Sequence, residues 1–250
     1  DHSVLSRFRT RLTVAQAWDR LLTQINQQIA VHDIAVKKGC HVDASITQSS
    51  RKPKTRPAYE VMGDREERDD EADAQSAMGV THPGVDIEAR WVRKSGKPVL
   101  GYQQHTVVDS SGLVMAVTTT AANCHDSRPL LDLLDKAGIQ PGVRVHADKA
   151  YCSQKHRDAL KSRGIKNGIQ DKAAKNGPLT RRQLQRNSLI AKARYVVERT
   201  FGSQVRWFNA KILRYRGLAL AHAWHILLAM AYNLKRLPRL FADRRIITQT

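Results

Sequence analysis

Three carboxylates stand where an acid is costly. Asp43 lies in His41-Val42-Asp43-Ala44-Ser45, which reads as a strand. Asp148 ends the strand of Val145-His146-Ala147-Asp148, just before Lys149-Ala150-Tyr151. Glu198 lies within a helix, in Arg194-Tyr195-Val196-Val197-Glu198-Arg199-Thr200-Phe201. An acid in an apolar stretch destabilises the fold unless it is paired or binds a metal. Phosphodiester chemistry at neutral pH is commonly done by two divalent cations about 3.5–4 Å apart. Mg²⁺ takes carboxylates and water, so three or four acids on rigid elements suffice. Each acid also has a plainer reading. Asp43 could cap a turn, Asp148 could N-cap the helix that follows, and Glu198 could pair with Arg194 at i−4. Singly, those readings hold at least as well. Together, in the basic half of the chain, the three acids favour a metal site.

The basic half is sharply defined. The 250 residues carry 42 Lys and Arg against 23 Asp and Glu, a formal net charge of +19. Residues 1–140 are balanced, with 18 of each sign. Residues 141–250 hold 24 basic residues and only five acids: Asp148, Asp158, Asp171, Glu198 and Asp243. A pI near 10.3 points to a polyanionic partner, nucleic acid ahead of an anionic membrane. Lys166, Lys172, Lys175, Arg181, Arg182 and Arg186 form a run suited to tracking phosphates without reading sequence. Trp207 and Phe208 stand beside Arg206, where they could stack on a base or, more commonly, pack in the core.

Composition excludes several classes. Three cysteines, Cys40, Cys124 and Cys152, an odd count without paired spacing, make a disulfide scaffold or a four-cysteine zinc site improbable and suit a reducing, cytosolic compartment. No stretch reaches the roughly 18–20 apolar residues of a membrane span. His125 with Asp126, His146 near Asp148, and Cys152 with His156 each lack a third ligand at a metal spacing. Asp126 reads instead as the N-cap of a helix.

Periodicity gives the elements that must position the acids. Two helices fill 3–31, and a strand covers 39–46. Residues 48–84 read as loop or disorder. Strands 98–107 and 112–119 pair through a turn at Asp109-Ser110-Ser111-Gly112. A helix over 127–137, a strand over 143–147, a helix over 153–163 and a strand over 165–169 follow. After a loop over 171–180 comes a long helix over 181–204, with Leu189, Ala193, Val196, Val197, Phe201 and Val205 as its apolar face. A last helix covers 217–236. This order predicts an α/β fold, a mixed sheet flanked by helices.

The ordered segments resemble the DDE transposases of bacterial insertion sequences, the insertion-sequence-five family in particular. The resemblance rests on Val42-Asp43-Ala44-Ser45, Ala89-Arg90-Trp91-Val92 with Lys94, Gly96 and Lys97, and Gly101-Tyr102 with His105. It continues through Ala121-Ala122-Asn123 with His125-Asp126-Ser127, Ala147-Asp148-Lys149-Ala150-Tyr151, and Arg194 with Val197-Glu198-Arg199 and Phe201. Ala231 with Asn233-Leu234-Lys235-Arg236-Leu237 closes it. Each piece alone is weak; the ordered set is specific. Two positions depart from the family pattern. Gln103 stands where Lys is frequent. In the Tyr-x₂-Arg-x₃-Glu-x₆-Lys signature, Ala191 and Val205 stand at the Tyr and Lys positions, with Tyr195 and Arg206 nearby.

The resemblance implies a ribonuclease-H-like catalytic core over 38–208. It implies a helical remnant of a DNA-binding region at 1–37 and a C-terminal helix and tail over 209–250. The absence of an initiating Met agrees with a missing upstream region. Asp43, Asp148 and Glu198 become the metal-binding triad for two Mg²⁺ or Mn²⁺ ions. Water then attacks the phosphodiester at the transposon end, and the freed 3′-hydroxyl attacks target DNA. Lys149, Arg181, Arg182, Arg186, Arg194, Arg199 and Arg206 are the expected DNA contacts, with a solvated surface as the plain alternative for Lys149 and Arg194. The expected partners are transposon ends and target DNA, held by a homodimer without a membrane, in the bacterial cytoplasm and nucleoid. The alternatives are an inactive DNA-binding remnant of a transposase and an RNA-binding or ribosome-associated protein. The acid triad argues against the last.

Overall fold

The computed structural model describes residues 2–32, 39–52, 85–174 and 177–247. Two helices, α1 (His2–Val14) and α2 (Trp18–Val31), open the chain. Seven strands form one sheet: β1 (Cys40–Ser49), β2 (Arg90–Lys94), β3 (Lys97–Asp109), β4 (Val114–Ala121), β5 (Arg144–Ala147), β6 (Lys166–Ile169) and β7 (Ile212–Leu213). The order is β2-β3-β1-β5-β6, with β4 on β3 and β7 on β1. β1, β3 and β4 pair antiparallel, whereas β5 and β6 run parallel to β1. The connecting helices are α3 (Leu130–Lys136), α4 (Gln154–Ser162), α5 (Arg181–Phe208) and α6 (Leu218–Ile247). This is the expected mixed sheet flanked by helices.

Both faces of the sheet are covered. On one, α3 and α4 bury Leu130, Leu133, Leu134 and Leu160 against Val42, Val107 and Val145. On the other, α5, α6 and α2 bury Val196, Val197, Ile226, Tyr232, Trp18 and Leu22 against Val108, Val114 and Val117. The helices at both ends of the chain thus share a core with the sheet.

Turn chemistry explains most boundaries. The β3–β4 hairpin turns at Gly112, whose φ of +86° suits glycine. β2 is a strand that the sequence reading missed. Ser95 and Gly96 both take positive φ, as a two-residue hairpin requires. The Ser-Gly pair was the available signal. α5 starts on a capping box, Thr180 with Gln183. It ends at Asn209 in the left-handed region.

Several expectations are corrected. β1 runs on to Ser49, because β7 pairs with Gln48 and Ser49; residues 53–84 of the expected loop lie outside the described residues. The helix expected from 127 starts at Leu130, and its N-cap is Pro129, without a side-chain cap. Asp126 therefore does not cap it. On α5, Leu189 and Val205 are 68% and 42% exposed, while Ile190, Thr200 and Gln204 are buried. Over 28 residues, the inward stripe follows whichever neighbours the sheet supplies.

Gly101 is needed for close approach. A methyl group at this position would drive into the carbonyl oxygen of Thr47 on β1. Gly101→Ala should destabilise the protein by about 1–3 kcal/mol, the scale of overpacking. Urea denaturation checks this; an unchanged midpoint would mean that β1 and β3 part more easily than their register suggests.

Candidate active site

Register brings two of the three acids together. β1 and β5 are parallel neighbours with Cys40 opposite Val145 and His41 opposite His146. Continued two residues, that register sets Asp148 level with Asp43. Neighbouring strands lie about 4.8 Å apart. The alternation of side chains also sends His41, Asp43, His146 and Asp148 to one face, the face that α5 covers.

Arg194 of α5 closes this face, donating to Asp43 Oδ2 at 2.9 Å across 151 positions of sequence. The side chains are only 15% and 16% exposed. The other Asp43 oxygen accepts from its neighbour, the Ala44 N–H, at 2.9 Å. Burial pushes the Asp43 carboxyl above its ordinary value. The Arg194 guanidinium and the Ala44 N–H pull the other way, and Asp148 adds to the rise. The Asp43 anion is therefore under-compensated, and a cation bound between Asp43 and Asp148 would relieve it.

Asp148 caps the turn that follows it. Its Oδ1 accepts the Ala150 N–H at 2.6 Å and so caps the 3-10 turn Lys149–Tyr151. The capping bond fixes its direction at the end of β5. Tyr151 at the end of that turn is buried, and its hydroxyl has no hydrogen-bond partner among the described residues. Burial first, and then the charges of Asp43, Asp126 and Asp148, hold this hydroxyl well above its ordinary value. Asp126 is thus a fourth acid within electrostatic reach, tied to Gln103 Nε2 at 2.5 Å. Its role as a site neighbour was missed, because the linking strand β3 lies remote in sequence.

Glu198 is placed differently. It is exposed, one turn beyond Arg194 on α5, and Arg194 turns to Asp43 rather than to Glu198. Among the described residues no three acids, histidines or cysteines form a group that could hold a metal. The carboxylates of Asp43, Asp148 and Glu198 are of the hard oxygen type that Mg²⁺ or Mn²⁺ takes, but Glu198 is not brought into a group with the two strand acids.

The expected basic contacts divide into two groups. Lys149, Arg181, Arg182 and Arg206 are exposed. Arg199 donates to the Ser111 carbonyl at 3.3 Å. Arg186 is held by the carbonyls of Asn167 and Ile169 and by Asp171, at 2.8–3.1 Å. Arg144, Arg182, Arg186 and His146 line a cleft of about 430 Å³ between β5 and α5, which neither strand acid lines. The other candidate ligands go elsewhere: His125 to Ser127, His156 to the Tyr151 carbonyl, and Cys152 to Arg157.

The histidines near the sheet are kept neutral. His41 and His146 stack with ring centroids 4.9 Å apart. Burial first, then His146 and Arg194, push His41 down to about 4. Burial also holds His105 at about 4 and His225, between Thr47 and Thr119 hydroxyls, at about 3. A histidine whose folded value is depressed leaves stability intact above its ordinary 6.5. That stability falls as pH drops from about 6.5 toward 4, since only the unfolded chain takes up the protons. Chemical denaturation at pH 7.5, 6 and 5 should therefore show a steadily falling midpoint; a flat profile would mean that these rings are protonated when folded.

A sheet that sets two acids level on adjacent strands, covered by a helix bearing Arg194 and Glu198, defines a candidate DDE-type site. The family model described as "Transposase DDE domain" matches residues 73–234. The transposase of insertion sequence element IS1106 from Neisseria meningitidis serogroup B is 38% identical over 230 residues, covering 91% of this chain and 75% of that protein. A putative transposase of IS402 from Burkholderia cepacia is 35% identical over 109 residues, 40% of this chain and 47% of that one. The chain belongs to the transposase DDE domain family of insertion sequences. The Mos1 strand transfer complex also matches, at 13% identity and a TM-score of 0.28. That alignment covers 91% of this chain and 61% of that one. Among the described residues no helix is long and apolar enough to cross a membrane.

Proposed function

We propose that this chain cuts and joins DNA strands to move an insertion sequence, using Asp43, Asp148 and Glu198 as ligands for two divalent cations, Mg²⁺ or Mn²⁺. The observation that supports this is the β1–β5 pairing of His41 with His146, which continued by two residues puts Asp148 opposite Asp43. When bound, such ions activate the attacking oxygen and stabilise the leaving one. The chain's own groups orient these ligands. The Ala150 N–H aims Asp148, and Arg194 orients the Asp43 carboxylate that would hold a cation. Glu198 would complete the ligand set from α5. Lys149, Arg181, Arg182 and Arg206 take backbone phosphates, with Arg199 where α5 meets α6 and Arg194 on the sheet face beside Asp43. A homodimer holds the two transposon ends.

The exposure of Glu198 favours a second reading, a DNA-binding remnant without catalysis. Mg²⁺-dependent cleavage of DNA carrying the element's own ends separates the two, with wild type beside Asp148→Asn. Cleavage lost in the variant, with salt-sensitive binding kept, supports the enzyme. Salt-sensitive binding by both without cleavage by either would leave only the remnant.

A further inference from the structure

Trp207 is a large side chain of α5 that neither the core nor the candidate site uses. Its ring is 54% exposed, while Phe208 packs against the core beneath α5 and α6. Two cations from different helices sit against it. Lys235 Nζ of α6 lies 4.0 Å from the ring centroid, and Arg206 Cζ of α5 lies 5.1 Å away. Along the same seam, the Arg199 guanidinium lies 5.4 Å from the Tyr195 ring. Arg199 and Arg236 both donate to the Ser111 carbonyl. Exposed rings are thus interleaved with guanidinium and ammonium groups where α5 meets α6.

That pattern has a definite chemical match. A protein–protein patch is depleted of Lys and covers its aromatics with apolar neighbours. Here the exposed indole is flanked by Lys and Arg, and all the net charge lies in residues 141–250. A nucleic-acid strand offers both parts required, a π face for the ring and phosphates for the cations. Trp207 stands nine residues beyond Glu198. At 100° per residue that is half a turn round the axis, so the ring faces away from Glu198, toward α6. A strand on Trp207 therefore lies outside the catalytic face.

We propose that Trp207, Arg206 and Lys235 form a second DNA contact, a stacking platform for an unpaired base. The indole takes one face of the base, and the two cations take the flanking phosphates. A paired base inside a duplex has no free face, so the platform selects single-stranded or unpaired DNA. This rests on the DNA reading above.

The test compares wild type, Trp207→Ala and Trp207→Phe, binding a single-stranded oligonucleotide and a duplex of the same sequence. Stacking on one aromatic side chain corresponds to roughly fivefold to a hundredfold in affinity. Trp207→Ala should lose that much for the single strand and little for the duplex, with Trp207→Phe retaining most of it. The indole fluorescence that wild type has over Trp207→Phe should be quenched by the single strand. Equal single-strand affinity in Trp207→Ala and wild type would overturn the platform. So would a changed oligomeric state in Trp207→Ala at unchanged affinity, which would assign the face to a second copy. Duplex binding by wild type without single-strand preference sinks the platform alone; failure to bind any DNA sinks the DNA reading as well.

Discussion

Glu198→Gln should abolish metal-dependent strand cleavage while leaving the fold and DNA affinity as they are. The side chain is exposed, and exposed substitutions usually change stability by less than about 0.5 kcal/mol. Gln keeps the shape and removes the charge, so only a role as anion is lost. The expected loss is on the order of 10²–10³-fold in rate, the scale for removing one group that stabilises charge in a transition state. Single-turnover cleavage, beside thermal melting and a salt series of DNA binding, measures all three properties. Cleavage at the wild-type rate would remove Glu198 from the site. Asp126→Asn would then be the next variant, because Asp126 already bears on Tyr151 together with Asp43 and Asp148.

Asp171→Ala should be the most destabilising single change to an acid. Its side chain is 9% exposed and receives Arg157 at 2.7 Å and Arg186 at 2.8 Å. Its backbone N–H and carbonyl are both bound by the Asn187 side chain, at 2.8 and 2.9 Å. Arg186 and Asn187 belong to α5, and Arg157 to α4. One carboxylate thus ties two helices to the end of β6. Breaking a buried ion pair by removing one partner costs about 3–5 kcal/mol. Both arginines are about one-third exposed, so water repairs part of the loss, and about 2–4 kcal/mol is expected. Because α5 also carries Arg194 and Glu198, cleavage should fall even where the variant remains folded. Denaturant midpoints with cleavage assays check both; a midpoint within about 0.5 kcal/mol of wild type would show that the core alone positions α5.

Much of the frame was legible from local patterns. The turn at Asp109–Gly112 and the alternation beside it specify the β3–β4 hairpin. Thr180 with Gln183 marks the start of α5, and Ser153 caps α4. The strand placement of Asp43, the strand-end placement of Asp148 and the helical placement of Glu198 were each readable from their neighbours. Those features act over a few residues, so the sequence by itself determines them, together with the basic second half and the family resemblance.

Partners were decided only by the tertiary structure. Arg194 is four residues from Glu198 yet binds Asp43, 151 positions away. Asp126 looked like a helix cap and instead binds Gln103 on β3. Of two adjacent aromatics, Phe208 went inward and Trp207 outward. Periodicity says which side of an element is apolar, not what stands opposite. That depends on strand register and on how α5 lies across the sheet, and a long helix with several half-apolar stripes leaves the choice to its neighbours.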